Sequence, residues 1–206
     1  MRHQPDLAQE TQLWQRGYMR VAGVDEAGRG ALAGPVVAAA LIFPAFVDFN
    51  ALTGIHDSKA LRAAQRDALL PRLHSLALDY GVGAASADEI DALGILPATR
   101  LAMQRALQAL RTPADFVLLD YVPPPAVSDI PQQTFIKGDQ RVYSIAAASI
   151  LAKTQRDAWM LDAARQYPQY GFERHKGYGT ARHRAALREF GGCELHRRSF
   201  AWGSGE

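Results

Sequence analysis

Residues 21–43 read VAGVDEAGRGALAGPVVAAALIF. Two apolar runs, Val21 to Ala27 and Gly34 to Phe43, flank a short glycine-containing link, which predicts an antiparallel strand pair. The second run is apolar throughout, as expected of a strand buried on both faces. Pro44 breaks it, and it is too short to span a bilayer. The first run carries two adjacent acids, Asp25 and Glu26, ahead of Gly28, Arg29 and Gly30. Carboxylates beside an apolar run are costly unless a cation or metal pairs with them. Neighbouring residues of a regular strand point to opposite faces, so these two share a site only if the strand twists or ends there. The glycines at 28 and 30 permit such a turn.

Outward from this stretch the pattern alternates. Residues 59–79 carry leucines at helical spacing, with Ser58 as N-cap and Pro71 as a kink or break. Tyr80 to Ser86 reads as a short strand, and Ala87 to Gly94 and Pro97 to Arg111 read as helices. Asp115 to Tyr121 is a buried strand ending in Asp120, followed by a stiff proline-rich connection from Pro123. Gln133 to Lys137 reads as a last strand. Residues 144–166 form a long helix whose small-residue start, SIAAAS, lets it pack close to a sheet. Tyr167 to Gly179 is an aromatic, glycine-rich, basic loop, and Thr180 to Phe190 a final helix. Residues 1–17 read as a loosely tied arm or short helix. The pattern predicts one α/β domain over residues 1–206: a mixed central sheet flanked by helices, with a C-terminal helical segment.

Composition narrows the setting. Hydrophobic residues make up 48% of the 206 and charged residues 21%, which is ordinary for a globular chain. A single cysteine, Cys193, excludes an intramolecular disulfide and a thiolate metal cluster. It also favours a reducing compartment. The N-terminus is too polar for a signal peptide, so a cytoplasmic protein with no membrane association is expected. The net charge of +2 is uneven: residues 1–136 hold 11 Lys+Arg against 14 Asp+Glu, whereas residues 137–206 hold 12 against 7. A basic C-terminal third is what a phosphate-binding surface requires. Of the 23 basic residues only Lys59, Lys137, Lys153 and Lys176 are lysine, and all four fall in the motif-like segments. Lysine is a compact, tunable point charge that arginine does not replace.

Asp120 closes the strand FVLLD, and Asp139 lies in KGDQ just ahead of the long helix. With Asp25 and Glu26 these make four acids at positions where structure alone does not call for acids. Hard oxygen ligands of this kind suit Mg2+ or Mn2+. Two such ions can activate water and stabilise a leaving oxygen in phosphoryl chemistry. Spacing alone does not bring the four together.

The segments VAGVDEAGRGALAGPVVAAALI, DSKAL, KGDQRVYSIAAASILAKTQRD and YPQYGFERHKGYGTARH resemble, in order, the ribonuclease HII family, the type 2 RNase H enzymes. The resemblance runs from about Val21 to Phe200. It implies an RNase H-like fold and an endoribonuclease that cuts the RNA strand of RNA–DNA hybrids. It also implies cutting on the 5′ side of ribonucleotides embedded in duplex DNA, leaving 3′-hydroxyl and 5′-phosphate ends. It assigns Asp25, Glu26, Asp120 and Asp139 as the catalytic acids that bind the divalent metal, two Mg2+ or Mn2+ ions during catalysis. It assigns the backbone of Gly28, Arg29 and Gly30 to the ribose 2′-hydroxyl, Tyr178 to the sugar at the RNA-to-DNA junction, and Lys59 to the neighbourhood of the scissile phosphate. The basic segment from about residue 168 to 206 is then the substrate-binding end, and a monomer is expected. No clamp-binding motif is identifiable in the terminal AWGSGE. The acid ending the third strand is usually followed by glycine in the family; here Tyr121 follows Asp120.

Other polar residues have plainer readings. Asp157, one turn after Lys153, is expected to form an i,i+4 ion pair. His175, His183 and His196 match no zinc spacing and are expected to be solvated or to face phosphate. Arg182, Arg184, Arg197 and Arg198 are candidates for phosphate contacts, and Tyr167 and Tyr170 for packing. Three competing functions remain. A binding module with a decayed site is opposed by the presence of all four acids. Ribonuclease HIII carries an extra N-terminal domain, for which the roughly twenty residues before the first strand leave no room. A generic metal-dependent phosphatase gives no reason for GRG and GYGT.

Overall fold

The computed structural model of the chain describes residues 4–55, 58, 61–120 and 127–202. Lys59 and Tyr121 lie outside the described residues. Five strands, β1 (Val21–Ala27), β2 (Val36–Ile42), β3 (Asp79–Ala85), β4 (Phe116–Asp120) and β5 (Gln132–Phe135), form one sheet in the order β3-β2-β1-β4-β5. β1 pairs antiparallel with β2, and β2 antiparallel with β3. β1 pairs parallel with β4, and β4 with β5, so the sheet is mixed as expected.

The helices are α1 (Ala8–Gln15), α2 (Ala63–Leu76), α3 (Ala87–Leu93), α4 (Ile95–Gln108), α5 (Tyr143–Gln166), α6 (Phe172–His175) and α7 (Ala181–Phe190). α4 covers one sheet face, where Val24, Ala38, Val117 and Leu119 pack with Ala102 and Met103. α5 covers the other, where Ala39 and Leu41 pack with Ala147 and Ile150, and Leu118 with Ile145. Full burial of each large apolar side chain contributes roughly 1.5–3 kcal/mol. The small residues at the start of α5 allow close approach: a Cβ on Gly23 of β1 would lie 2.1 Å from the Ser144 carbonyl carbon. Among the described residues no helix is long and apolar enough to cross a membrane.

Three local expectations change. α2 starts at Ala63 rather than at residue 59, and the Arg62 amide donates to the Gln65 side chain at 2.8 Å. Ser58 caps nothing there; its buried hydroxyl pairs with that of Ser149 at 2.7 Å. Pro71 does not end α2, because Leu69, Leu70, Leu73 and Leu76 anchor the helix on both sides of it. In the N-terminal segment the short helix, not the loosely tied arm, is what forms, as α1. Buried Glu10 of α1 accepts the Ser144 amide and hydroxyl at 2.8 Å each, so α1 caps the first turn of α5. Within the loop 167–179 the chain forms a 3-10 turn at Pro168–Tyr170 and then α6, with Tyr170 buried as a packing residue.

Candidate active site

The register of β1 against β4 sets the site. Val24 stands beside Leu119, and both pack on the α4 side. Asp25 and Asp120, one residue on, are therefore neighbours at the carboxyl ends of two parallel strands, and the pleat turns them towards α5. Asp25 is 2% exposed, accepts the Glu26 amide at 2.7 Å, and takes a hydrogen bond from Ser149 of α5. Asp120 accepts the Gly138 amide at 2.7 Å, which draws the turn carrying buried Asp139 to the same sheet edge. Lys137, just before that turn, sits in the left-handed region at φ +56°. A non-glycine residue there costs about 1 kcal/mol or more. Gly138 sits close against α5, where a Cβ would lie 2.7 Å from Ile145 Cδ1.

Glu26, the next residue, stays within the strand, and its charge is felt at Asp25. β1 neither breaks nor turns after Asp25; it stays paired with β2 through Glu26–Ala38 and Ala27–Val37. Its pairing with β4 stops at Val24–Leu119, so Glu26 lies beyond the neighbouring strand, at an open edge. The electrostatic consequence is visible on Asp25. Burial, then the charges of Glu26 and Asp120, and more weakly Asp139, hold its carboxyl well above the usual range. The Glu26 side chain also accepts from Arg29 Nη1 at 3.2 Å.

The loop 28–35 follows directly. Gly28 has φ +94°, and a Cβ there would fall 2.0 Å from Arg156 Nε. Two arginines, each 0% exposed, hold this loop by its carbonyls. Arg156 of α5 donates to Pro35, Ala33 and Lys176 oxygens at 2.9–3.0 Å. Arg197 donates to those of Gly34, Arg29 and Gly28 at 2.7–3.0 Å. Ala31 bridges to Tyr178, whose half-buried ring lies 5.3 Å from the Arg156 guanidinium and 5.4 Å from Lys153 Nζ. α5 thus presents Ser149 to Asp25, and Lys153 and Arg156 to Tyr178, from successive turns.

Residues 22–202 match the family model for Ribonuclease HII. The chain belongs to the ribonuclease HII family. It is 52% identical over 191 residues to the ribonuclease HII of Syntrophotalea carbinolica, covering 93% of this chain and 90% of that protein. The crystal structure of ribonuclease H2 from Pyrococcus horikoshii superposes with a TM-score of 0.76 at 26% identity, covering 89% of this chain and 95% of that one. Bst-RNase HIII, solved in complex with Mn2+, shares the fold with a TM-score of 0.65 at 17% identity, covering 90% of this chain and 68% of that one. As a ribonuclease HII the chain is an endonuclease of the ribonuclease H class, a divalent-metal-dependent hydrolase acting on RNA–DNA hybrids.

The residues at the edge of this ribonuclease HII fit that requirement chemically. Asp25, Glu26, Asp120 and Asp139 supply only hard oxygen donors, and a divalent cation would relieve both the burial cost and the mutual repulsion felt by Asp25. Among the described residues no three His, Cys, Asp or Glu side chains are gathered closely enough to hold an ion as they stand. Other expectations divide. Asp157 pairs with Lys153 at 2.7 Å as read, and additionally with Arg66 at 3.1 Å. Arg197, read as a phosphate contact, is buried against the glycine loop, because the Gly28, Arg29 and Gly34 carbonyls need donors. Arg184 donates to the Gly179 and Trp202 carbonyls, and Arg198 pairs with Asp88. His175, His183 and His196 are buried together instead of facing solvent. The sequence holds no mark separating buried Arg156 from the exposed arginines around it; its only signal is the spacing from Ser149 and Lys153 along one helix.

Proposed function

We propose that this ribonuclease HII cuts on the 5′ side of a ribonucleotide, in RNA–DNA hybrids and at single ribonucleotides embedded in duplex DNA, leaving 3′-hydroxyl and 5′-phosphate ends. The observation that carries the reading is the placement of buried Asp25 beside Asp120, and of buried Asp139 on the turn that Asp120 holds, directly before a loop whose backbone is held from behind. In this reading Asp25, Glu26, Asp120 and Asp139 hold the divalent ions, Mg2+ or Mn2+, and the Mn2+ complex of Bst-RNase HIII supports that choice. Bound there, the metal supplies activation of water and stabilisation of the leaving oxygen.

The chain's own residues choose the substrate. Gly28 and Arg29 turn their carbonyls inward to Arg197, which favours outward-facing amides in the Gly28-Arg29-Gly30 turn for a ribose 2′-hydroxyl. At Gly30 an added Cβ would meet nothing within 4 Å, so packing does not require glycine and its bareness clears an approach to the backbone. Tyr178 offers a ring face for the sugar at the RNA-to-DNA junction. Lys59, which lies outside the described residues, is assigned to the scissile phosphate by the family resemblance.

The test is incubation of a DNA duplex containing one ribonucleotide with Mg2+, followed by mapping of both products. One cut, 5′ of the ribonucleotide, with a ligatable 5′-phosphate is expected. A cut on the 3′ side, or none on this substrate alongside cleavage of a hybrid, would overturn the embedded-ribonucleotide reading.

A further inference from the structure

Three buried histidines stand behind the Tyr178 loop, and the hydrogen bonds around two of them determine their protons. The Cys193 amide, which can only donate, points at His196 Nδ1 from 2.9 Å. His196 Nδ1 is therefore unprotonated, and its proton is on Nε2. Nε2 faces His183 Nε2 at 3.0 Å and donates to it. His183 then carries its proton on Nδ1, which donates to the Tyr178 carbonyl at 3.0 Å. The result is a directed chain from Cys193 through His196 and His183 to the backbone of Tyr178. The next residue, Arg197, reaches the other way, to the carbonyls of Gly28, Arg29 and Gly34. The two loops also touch directly, since a Cβ on Gly177 would lie 2.4 Å from the Ala33 carbonyl oxygen.

We propose that His183, His196 and Arg197 are positioning residues for ribose recognition, with the adjacent side chains of His196 and Arg197 fixing the distance between the Tyr178 loop and the glycine loop. This rests on the reading above that those two loops address the ribose. The consequence depends on substrate. A single embedded ribonucleotide must satisfy both loops with one sugar, whereas a hybrid offers ribose at every position of its RNA strand. Loosening the spacing therefore harms the single-ribonucleotide substrate more.

His196→Asn keeps an acceptor for the Cys193 amide but removes the donor to His183; His196→Gln restores a donor further out. Arg197→Lys replaces a fork reaching three carbonyls by one ammonium and serves if the histidine variant does not fold. kcat and KM are measured on both substrates, well below each variant's melting temperature. His196→Asn and Arg197→Lys are expected to lower kcat/KM on the single-ribonucleotide duplex about tenfold more than on the hybrid. His196→Gln should recover part of the loss, and His196→Asn should add nothing in a Tyr178→Ala background. Equal losses on both substrates, or full additivity with Tyr178→Ala, would overturn the proposal. If Tyr178→Ala shifts the substrate ratio and neither positioning variant does, this inference alone falls. If Tyr178→Ala leaves the ratio unmoved, the junction-reading role falls and takes this inference with it.

Discussion

Asp25 is where charge, burial and neighbours conflict most. Its carboxyl is raised by burial and by Glu26 and Asp120, so the ionised form is unfavourable until a cation arrives. Asp25→Asn removes that cost along with the proposed ligand. Cleavage with Mg2+ should fall on the order of a thousandfold, while the melting temperature in EDTA should hold or rise. Wild-type-like activity in this variant would remove Asp25 from the site. Gly28→Ala places a side chain at φ +94° and into Arg156. A loss of about 1–3 kcal/mol is expected in urea unfolding, and an unchanged midpoint would mean that the loop shifts freely. The acids were readable because a carboxylate after an apolar run is conspicuous. Arg156 and Arg197 were not, since burial of an arginine is decided by what packs over it.

α5 links the catalytic edge, the glycine loop and the Tyr178 loop, so its seating matters more than its helical propensity. Gly23→Ala would drive a methyl to 2.1 Å from the Ser144 carbonyl carbon, backbone that cannot swing aside. About 3 kcal/mol or more of stability should be lost, read as a lower urea midpoint; a loss under about 0.5 kcal/mol would show that α5 can lift off. At the start of α5, burial raises the Glu10 carboxyl from 4.5 to about 6, against the opposing Ser144 bonds. Below pH 4.5 folded and unfolded chains both hold this proton. Between 4.5 and about 6 only the folded chain keeps it, so stability falls as pH rises through that window, by about 2 kcal/mol. Glu10→Gln keeps the acceptor for Ser144 and should flatten this dependence in denaturation measured from pH 4 to 7.5. An unchanged slope would show that Glu10 does not titrate there.

For the molecule as a whole, the C-terminal segment closes the fold over the loops, and it does so with neutral imidazoles. Burial lowers all three histidines, His183 to about 4 from 6.5. As pH falls from 6.5 towards about 4, the unfolded chain takes up a proton that folded His183 refuses, so this residue weakens the fold in that window, opposite in sign to Glu10. Imidazole 15N shifts at pH 5.5 should report His183 protonated on Nδ1 only and His196 on Nε2 only. A doubly protonated His183 at that pH would contradict the hydrogen-bonded chain. The mixed sheet and its flanking helices were legible because short apolar runs marked the strands and longer stretches between glycines and prolines marked the helices. The N-terminal segment was left open between a loose arm and a short helix because its decisive feature, Glu10 on Ser144, joins residues far apart in the chain.

Contiguous residues were enough for most element types, for singling out four acids as candidates and for the family, because apolar runs and motif order are local properties of the chain. The tertiary structure alone set Asp120 beside Asp25, through the parallel register of β4 on β1. It alone drew the Asp139 turn to Asp120, sank Arg156 and Arg197 among carbonyls, and oriented the histidine protons. In each case the reason is the same: what a polar side chain costs, and what it can bond, depends on groups that arrive from elsewhere in the chain.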